Sequence, residues 1–468
     1  MDILPQKRLA SVTVKKLFGQ FDHTVNLRLA DRITIIHGPN GFGKTALLKM
    51  IQAFFDGNLE TLKQIPFDEL SLQFEDGARV QVVREIKPLD LETKTKRNRR
   101  IKEKVVLTVS YVDSNGLAEQ PYTTNQRGPD GGLTHIYQPS NLLAEYSKLD
   151  EDTWVHDSTG EMLDKDELRY RIYQESPRAI AEFRNSLPTW LKQLRCSINI
   201  RLIEAQRLVT INQEEEIHDY VETRRSGFQS AVNSYAKQLS QHIQETLTIY
   251  ASTSQKLDSS FPGRVLQTNS TIDIDQVLLA KKLKDLEFTR QRIISAGLLD
   301  KEDQTQLGLT QSFDNITKNI LALYAEDVAT KLGELNNLTN RIELFKKIVN
   351  QRFSYKQIIV DKDSGFYFIS NNAQRLKPTD LSSGEQHELV LFYELLFKTD
   401  VGALILIDEP ELSLHVSWQV LFLQDLANIV KLSAFDVILA THSPELINDR
   451  WDLTEALRGP DDGQGSNS

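Results

Sequence analysis

Cysteine is almost absent from this sequence: Cys196 is the single one in 468 residues. One thiol cannot form an intrachain disulfide or supply a cysteine metal cluster, so neither is expected to stabilise the fold. Long apolar runs are absent as well, since none approaches the roughly 20 residues that a membrane helix needs. Residues 1–15 also lack the apolar core of a signal peptide. These absences predict a protein of the cytoplasm with no membrane partner.

Positive charge is in deficit, because 55 Lys and Arg stand against 65 Asp and Glu and give a formal net charge of -10. Nucleic-acid binding depends on cations that neutralise phosphates, so this chain is not expected to bind nucleic acid over its whole surface. Residues 94–104 are a local exception, rich in Lys and Arg. They predict either a solvated hairpin tip or a contact site for DNA, RNA or an acidic protein. The cations at the centre of this segment are Lys96, Arg97, Arg99 and Arg100.

A glycine-rich stretch at residues 38–45 reads Gly-Pro-Asn-Gly-Phe-Gly-Lys-Thr and stands between an apolar run and an amphipathic one. Strand, glycine-rich turn and helix in this order are the context that a phosphate-binding P-loop requires. Backbone N–H groups and the helix N-terminus would hold phosphates, Lys44 would reach the β- and γ-phosphates, and the Thr45 hydroxyl would bind Mg²⁺. The residues expected to contact a nucleotide here are Asn40, Gly41, Gly43, Lys44 and Thr45.

An apolar strand at residues 404–407 ends in two carboxylates, Asp408 and Glu409. Beside a P-loop, one carboxylate at a strand end holds Mg²⁺, and a second orients or deprotonates the attacking water. Asp408 is predicted to take the first role and Glu409 the second. Two acids at a strand end also occur in ordinary turns, so the assignment depends on the P-loop and on the Pro-Glu-Leu-Ser-Leu-His sequence that follows.

A second candidate anion site is the Leu-Ser-Ser-Gly-Glu-Gln sequence at residues 381–386, which opens a predicted helix. Ser382, with Glu385 three residues later, has the pattern of a capping box, and this is one interpretation. The other is a phosphate site, because a serine hydroxyl and a glycine N–H at a helix start can bind the γ-phosphate of a nucleotide. In that interpretation the contacts are made by Ser382 and Gly384.

The remaining patterns predict an α/β protein with an inserted helical arm. Strand-like runs over residues 10–85 predict an antiparallel β lobe around the P-loop helix, and Asp76-Gly77 predicts a hairpin turn inside it. Apolar residues at near-helical spacing predict a helical hairpin or short coiled-coil arm, with a break at residues 261–263. Strands and helices then alternate as in a parallel α/β lobe. The predicted domains are an N-terminal lobe at 1–211, the arm at 212–352, a C-terminal lobe at 353–458 and a disordered tail at 459–468.

Four motifs together resemble the ABC-type ATPases, in particular the branch that contains RecF, the SMC proteins and the OLD nucleases. They are the P-loop, the Leu-Ser-Ser-Gly-Glu signature, the strand that ends in Asp-Glu-Pro, and Thr-His-Ser-Pro at residues 441–444. The resemblance implies an ABC-type fold with a mixed sheet, which hydrolyses ATP with Mg²⁺. It also implies that the signature serine of one protomer completes the P-loop site of another.

The same resemblance implies roles for individual residues. Glu409 would be the catalytic base, His442 the switch histidine that contacts the γ-phosphate, and Gln206 the Q-loop residue near Mg²⁺ and the attacking water. Ser413 would lie at the interface between protomers. An ordinary exposed glutamine and a structural histidine stay open as alternatives for Gln206 and His442.

The whole-length layout resembles the ATPase components of two-gene bacterial anti-phage systems, those of the PARIS system (the AriA family) and then those of Septu. Residues 201–208, 257–262 and 415–419 carry this likeness. It implies a homo-oligomeric scaffold, a dimer across its ATP sites or a hexamer. Such a scaffold would hold a TOPRIM-type nuclease and free or activate it when a phage protein, such as an acidic DNA mimic, is sensed. A RecF- or SMC-like ATPase that binds DNA directly in repair, and a scaffold whose hydrolysis is vestigial, stay open as alternatives.

Overall fold

The computed structural model describes ten stretches of the chain, with gaps between them. They are residues 6–88, 103–124, 146–148, 153–156, 162–164, 187–204, 231–267, 275–300, 314–412 and 414–459. The predicted tail lies outside them from residue 460 onward. Within these stretches, no helix is both long enough and apolar enough to cross a membrane.

The strands form four sheets. They are β1 (Leu9–Leu17), β2 (Phe21–Asn26), β3 (Ile33–His37), β4 (Glu69–Phe74), β5 (Arg79–Pro88), β6 (Glu103–Val112), β7 (Tyr122–Thr123), β8 (Tyr146–Lys148), β9 (Thr153–His156), β10 (Met162–Asp164), β11 (Ile200–Ile203), β12 (Lys356–Asp361), β13 (Gly365–Ser370), β14 (Arg375–Leu376), β15 (Leu404–Asp408), β16 (Asp436–Thr441) and β17 (Thr454–Ala456). The six-stranded sheet has the order β2-β1-β4-β5-β6-β7, and the five-stranded sheet has the order β11-β15-β16-β3-β17. The two three-stranded sheets have the orders β10-β9-β8 and β12-β13-β14.

The helices within the described stretches are numbered in the same way. They are α1 (Lys44–Phe55), α2 (Leu59–Gln64), α3 (Thr189–Cys196), α4 (Ala231–Gln267), α5 (Gln276–Ser295), α6 (Asn315–Arg352), α7 (Ser383–Phe397), α8 (Val416–Ser433) and α9 (Pro444–Ile447). Short 3₁₀ turns occupy Pro378–Asp380, Pro410–Leu412 and Trp451–Leu453.

The six-stranded sheet is antiparallel throughout and forms the predicted β lobe. The hairpin turn predicted at Asp76-Gly77 joins β4 to β5. Gly77 has a φ of 87° there, and the Asp76 carboxylate accepts the N–H of Ala78 at 3.0 Å. Strands β5 and β6 form a second hairpin whose last described pair is Pro88 with Glu103, so the basic segment connects two paired strands.

The five-stranded sheet is parallel and contains the strand that leads into the P-loop. The sequence assigned residues 32–36 to the antiparallel lobe, and this is wrong because β3 pairs with β16 and β17 instead. Four of its five residues are buried, as expected of a parallel strand covered on both faces. The carboxyl ends of β3, β15 and β16 therefore meet at one edge of the sheet.

Alternate residues of the parallel strands face two different cores. Leu404 and Leu406 pack into the core that contains α1 and the antiparallel sheet. Ile405 and Ile407 pack into the core that contains α7, α8, the N-terminal part of α4 and the C-terminal part of α6. Because successive side chains of a strand point to opposite faces, the parallel sheet separates these two cores, with α1 between the two large sheets.

The arm consists of α4, α5 and α6. Ion pairs Asp258–Lys331 and Arg264–Asp327 join α4 to α6, and since one number rises as the other falls, these helices are antiparallel. Helix α5 runs parallel to α6, since the numbers rise together in the ion pairs Lys282–Glu326, at 4.0 Å, and Arg292–Glu343, at 2.5 Å. The arm is present as predicted, and it packs three helices rather than a simple pair.

The break predicted at residues 261–263 is wrong, because α4 continues through Pro262 to its end at Gln267. A proline inside a helix removes one backbone donor. Side-chain bonds hold the helix on the far side of the proline: Arg264 donates to the carbonyl of Leu257 at 3.0 Å and binds both oxygens of Asp327 at 2.6 and 2.7 Å. Tertiary contacts with α6 thus keep the helix intact beyond the proline.

A buried ion cluster joins the arm to the helix that begins at the signature motif. Arg352, the last residue of α6, contacts Glu388 of α7 at 2.5 Å and also pairs with Asp425 of α8. Its guanidinium lies 4.8 Å from the centre of the Phe392 ring. Burial raises the pKa of the Glu388 carboxyl, and Arg352 opposes that effect.

Candidate nucleotide-binding site

The P-loop lies between the end of β3 and the start of α1. Gly41 and Gly43 have φ values of 87° and 89°, in the left-handed region that side chains with a Cβ disfavour. At Gly43 a Cβ would also lie 2.4 Å from Cδ2 of Leu17. The loop therefore requires glycine at this position, both for its backbone and for its contact with β1.

Lys44 begins α1 and is only 4% exposed. Its Nζ donates to the carbonyl oxygens of Gly38 and Pro39 at 2.8 and 3.1 Å. The ammonium group is thus held inside the loop by the loop's own backbone. This is the position from which a P-loop lysine reaches phosphate oxygens.

Thr45 and Asp408 are brought together although they are far apart in sequence. The Thr45 hydroxyl donates to Oδ1 of Asp408 at 3.1 Å. Burial raises the pKa of Asp408, Glu409 and Glu204 add to the effect, and Thr45 and Lys49 oppose it. A hydroxyl beside a carboxylate offers the hard oxygen donors that Mg²⁺ prefers, and in phosphate-binding sites one or two carboxylates suffice because phosphates supply further ligands.

Glu409 follows directly after β15, with a φ of 45°. Such a conformation is costly for a residue with a side chain and is found mainly where surrounding contacts impose it. Here the Glu409 N–H donates to the carbonyl of Ala440 on β16 at 2.9 Å. Oε1 of Glu409 lies 3.7 Å from Nδ1 of His442, so the two residues predicted to act on the γ-phosphate and the water are neighbours.

His442 follows β16 and contacts a third carboxylate, Glu411, which the sequence analysis did not single out. Nδ1 of His442 lies 3.2 Å from Oε1 of Glu411, and the backbone N–H of His442 donates to the same oxygen at 2.9 Å. The sequence feature that could have indicated Glu411 is its position two residues after Glu409, in the turn that follows β15.

The signature motif forms the capping box that one interpretation predicted. The Ser382 side chain accepts the Glu385 N–H at 3.4 Å, and the Glu385 carboxylate accepts the Ser382 N–H at 2.9 Å. Burial disfavours ionised Glu385, but bonds from Lys356 and Ser382 outweigh this and lower its pKa. A Cβ on Gly384 would have no neighbour within 4 Å among the described residues. The phosphate-binding role of Ser382 and Gly384 stays a prediction.

The structure thus places five predicted residues at one edge of the parallel sheet, namely Lys44, Thr45, Asp408, Glu409 and His442. Gln206 and Ser413 lie outside the described residues, as do the cations Lys96, Arg97, Arg99 and Arg100. The last described residue before Gln206 is Glu204, which pairs with Lys49 of α1 at 3.2 Å. The last described residue before the predicted Q-loop residue therefore lies beside α1.

A glycine-rich loop with an enclosed lysine, a threonine–aspartate pair and a glutamate beside a histidine define a P-loop nucleoside triphosphatase. The chain matches the AAA ATPase domain family over residues 8–447. It belongs to this family and is an ATPase.

Curated proteins contain no match to this chain. Among solved structures, it is similar to an Smc head domain from Pyrococcus furiosus with an extended coiled coil, bound to the C-terminal domain of ScpA. The identity is 13%, the match covers 97% of this chain and 94% of that chain, and the TM-score is 0.31. It is also similar to the SMC head domain from Thermotoga maritima, with 10% identity, 97% and 96% coverage and a TM-score of 0.31.

Proposed function

We propose that this chain is an ABC-type ATPase of the RecF, SMC and OLD branch, whose ATP and Mg²⁺ sites are completed between protomers. The observation that carries the proposal is the meeting of Thr45 and Asp408 beside Glu409 and His442, while Ser382 lies exposed at the start of α7, whose later turns are buried. A signature serine turned to solvent is available to a second copy. In this arrangement Lys44 holds the phosphates, and Thr45 and Asp408 hold Mg²⁺.

Glu409 is the general base in this proposal. Its carboxylate takes the proton of the attacking water, His442 contacts the γ-phosphate, and Gln206 orients Mg²⁺ and the water. The Glu409→Gln variant is expected to lose roughly 100- to 10,000-fold in kcat, the range typical of general-base catalysis, while it still binds ATP. Steady-state ATPase assays and binding of a fluorescent ATP analogue measure the two effects. Hydrolysis at the parental rate would overturn the assignment and would favour a different base.

The same variant tests the assembly. With hydrolysis blocked, Mg²⁺ and ATP are expected to convert Glu409→Gln protomers into a dimer or hexamer, detected by light scattering. Ser382→Arg in this background should prevent the conversion, because the arginine occupies the signature surface. Asn372→Arg, an exposed position in the turn between β13 and β14, is the matched control and should assemble normally. Assembly of both variants alike would remove Ser382 from the interface.

We infer further that the chain serves in the cytoplasm as the ATPase scaffold of a bacterial anti-phage system of the PARIS (AriA) type. The support is the whole-length resemblance noted for residues 201–208, 257–262 and 415–419. In this role it holds a TOPRIM-type nuclease and releases or activates it when a phage protein is sensed. Co-purification with the product of the adjacent gene, and loss of phage protection in Lys44→Ala, are the expected results. A neighbourhood of replication genes without a nuclease gene would contradict it.

Direct DNA binding in repair is the second candidate, and the basic segment at 94–104 favours it. A DNA clamp should bind duplex DNA with a steep dependence on salt, because bound counterions are released. A sensor would use the same cations on an acidic protein. The variant with glutamate at Lys96, Arg97, Arg99 and Arg100 separates them: lost DNA affinity supports repair, and lost phage protection with no DNA affinity in the parent supports sensing.

A further inference from the structure

We propose that Glu411 is the positioning residue of His442: it binds Nδ1 of the imidazole and so leaves Nε2 to contact the γ-phosphate. The inference rests on the proposed function, since it assigns the partner of a residue within that site. Glu411 lies in the 3₁₀ turn Pro410–Leu412, between β15 and α8. It touches none of the reacting groups itself and acts through the histidine.

One oxygen of Glu411 accepts two hydrogen bonds from the end of β16 and lies near the imidazole that follows it. Oε1 accepts the Thr441 hydroxyl at 2.7 Å and the His442 N–H at 2.9 Å, and it lies 3.2 Å from Nδ1 of the His442 ring. The Glu411 side chain is 5% exposed. Two hydrogen bonds and a nearby imidazole at one buried oxygen favour a carboxylate over a neutral acceptor, because hydrogen bonds to an ionised acceptor are the stronger ones.

Two carboxylates lie near the histidine ring, and their distances separate their roles. Oε1 of Glu409 is 3.7 Å from Nδ1, beyond hydrogen-bond range, whereas Oε1 of Glu411 is within it. In the proposal Nδ1 carries a proton and donates it to Glu411, the nearer of the two carboxylates. When Nε2 is protonated too, the ring is a cation supported by the carboxylate, and the Nε2–H can donate to a phosphate oxygen.

Gln419 links the turn that carries Glu411 to Ser443, the residue after His442. Gln419 of α8 donates to the carbonyl of Glu411 at 3.3 Å and to that of Leu414 at 3.4 Å. Its Oε1 accepts the Ser443 hydroxyl at 2.8 Å. Backbone and side chain of Glu411 are thus both fixed, so the position of the His442 ring is set before any nucleotide arrives.

The Glu411→Gln variant keeps the shape of the side chain and removes its charge. Its amide oxygen can replace Oε1, but the NH₂ group then takes the place of Oε2, which is buried and has no hydrogen-bond partner among the described residues. The variant is expected to lose roughly 10- to 100-fold in kcat, the range seen when a partner that orients a functional side chain is removed. KM for ATP should stay within about twofold, because Lys44 and the P-loop are unchanged.

The direct readout is the ¹⁵N spectrum of histidine-labelled protein, in which the His442 signals are assigned with His442→Asn. In the parent, Nδ1 is expected to be protonated; in Glu411→Gln, the signals should shift toward the Nε2–H tautomer. Glu445→Gln is the matched control. That exposed carboxylate accepts from Ser443 Oγ at 3.2 Å, and its loss should change neither kcat nor the His442 signals.

The outcomes separate this inference from the function on which it rests. If the parent does not hydrolyse ATP, the proposed function fails. If the parent is active and Glu411→Gln matches it in kcat and in its imidazole signals, Glu411 positions nothing. A fall in kcat with unchanged imidazole signals would assign Glu411 a merely structural role. If Glu411→Gln does not fold, Glu411→Asp retains the charge and should keep the Nδ1-protonated signals.

Discussion

At the scale of single residues, two glycines of the P-loop share a backbone conformation and differ in their surroundings. Gly41 and Gly43 have nearly the same positive φ. A Cβ on Gly41 meets no atom within 4 Å among the described residues, whereas one on Gly43 meets Leu17. The pair therefore separates the cost of the backbone conformation from the cost of a clash.

Gly43→Ala is expected to destabilise the protein more than Gly41→Ala. Each variant places a side chain in the left-handed region, at a cost of about 1–2 kcal/mol. Gly43→Ala must in addition displace Leu17 from the core below the loop, with a further cost of about 1–3 kcal/mol for overpacking. Urea unfolding measures both. Equal free energies of unfolding would show that β1 shifts enough to accommodate the new methyl group.

Asp408 predicts a dependence of stability on pH. Its pKa is raised in the folded protein, with burial as the largest cause, so the ionised carboxylate destabilises the nucleotide-free fold. This cost is absent below the ordinary pKa of 3.8, grows as the pH rises through the raised value, and is fully present above it.

Asp408→Asn is therefore expected to be more stable than the parent at pH 7 without nucleotide, and the difference should shrink near pH 4. The asparagine can still accept the Thr45 hydroxyl, so the comparison isolates the charge. Melting temperatures at both pH values, with and without Mg²⁺ and ATP, provide the measurement. The parent should gain stability from Mg²⁺ and ATP and the variant should gain little. A variant less stable than the parent at pH 7 would contradict the argument.

At the scale of elements, the sequence alone predicted the strands and helices that surround the candidate nucleotide-binding site. The P-loop, the strand before Asp408 and the capped helix at Ser382 have strong local signals, and each forms where it was predicted. The sequence could not assign β3 to its sheet, because pairing depends on β16, which follows hundreds of residues later. It also missed Glu411, because its contacts with His442 form only when the ends of β15 and β16 lie side by side.

The ion cluster at the base of the arm predicts an asymmetry between its members. Arg352→Met leaves Glu388 and Asp425 buried without their cation, and breaking a buried pair in this way costs about 3–5 kcal/mol. Glu388→Gln should cost much less, since burial already favours the neutral form of this carboxyl. Denaturant unfolding at pH 7 compares the two. Equal losses in the free energy of unfolding would show that Glu388 is ionised and that its ion pair with Arg352 stabilises the contact between α6 and α7.

At the scale of the whole molecule, the proposed site is divided between two copies of the chain. In a symmetric assembly each protomer gives its P-loop to one site and its signature helix to another. Lys44→Ala destroys the first contribution and Ser382→Arg the second. Each variant alone is therefore expected to be inactive, for different reasons.

Mixing the two variants tests this division, because a mixed dimer has one site with the intact P-loop of the Ser382→Arg protomer and the intact signature of the Lys44→Ala protomer. Ser382→Arg protomers should not assemble with each other, because both of their sites are blocked, whereas the mixed dimer keeps one intact site that can hold it together. The mixture should therefore recover activity, up to about half of the parental ATPase rate if only mixed dimers form. A mixture of Lys44→Ala with the double variant, which has no intact pair, should stay inactive. If differently tagged chains co-purify and the mixture is still inactive, Ser382 does not complete its neighbour's site.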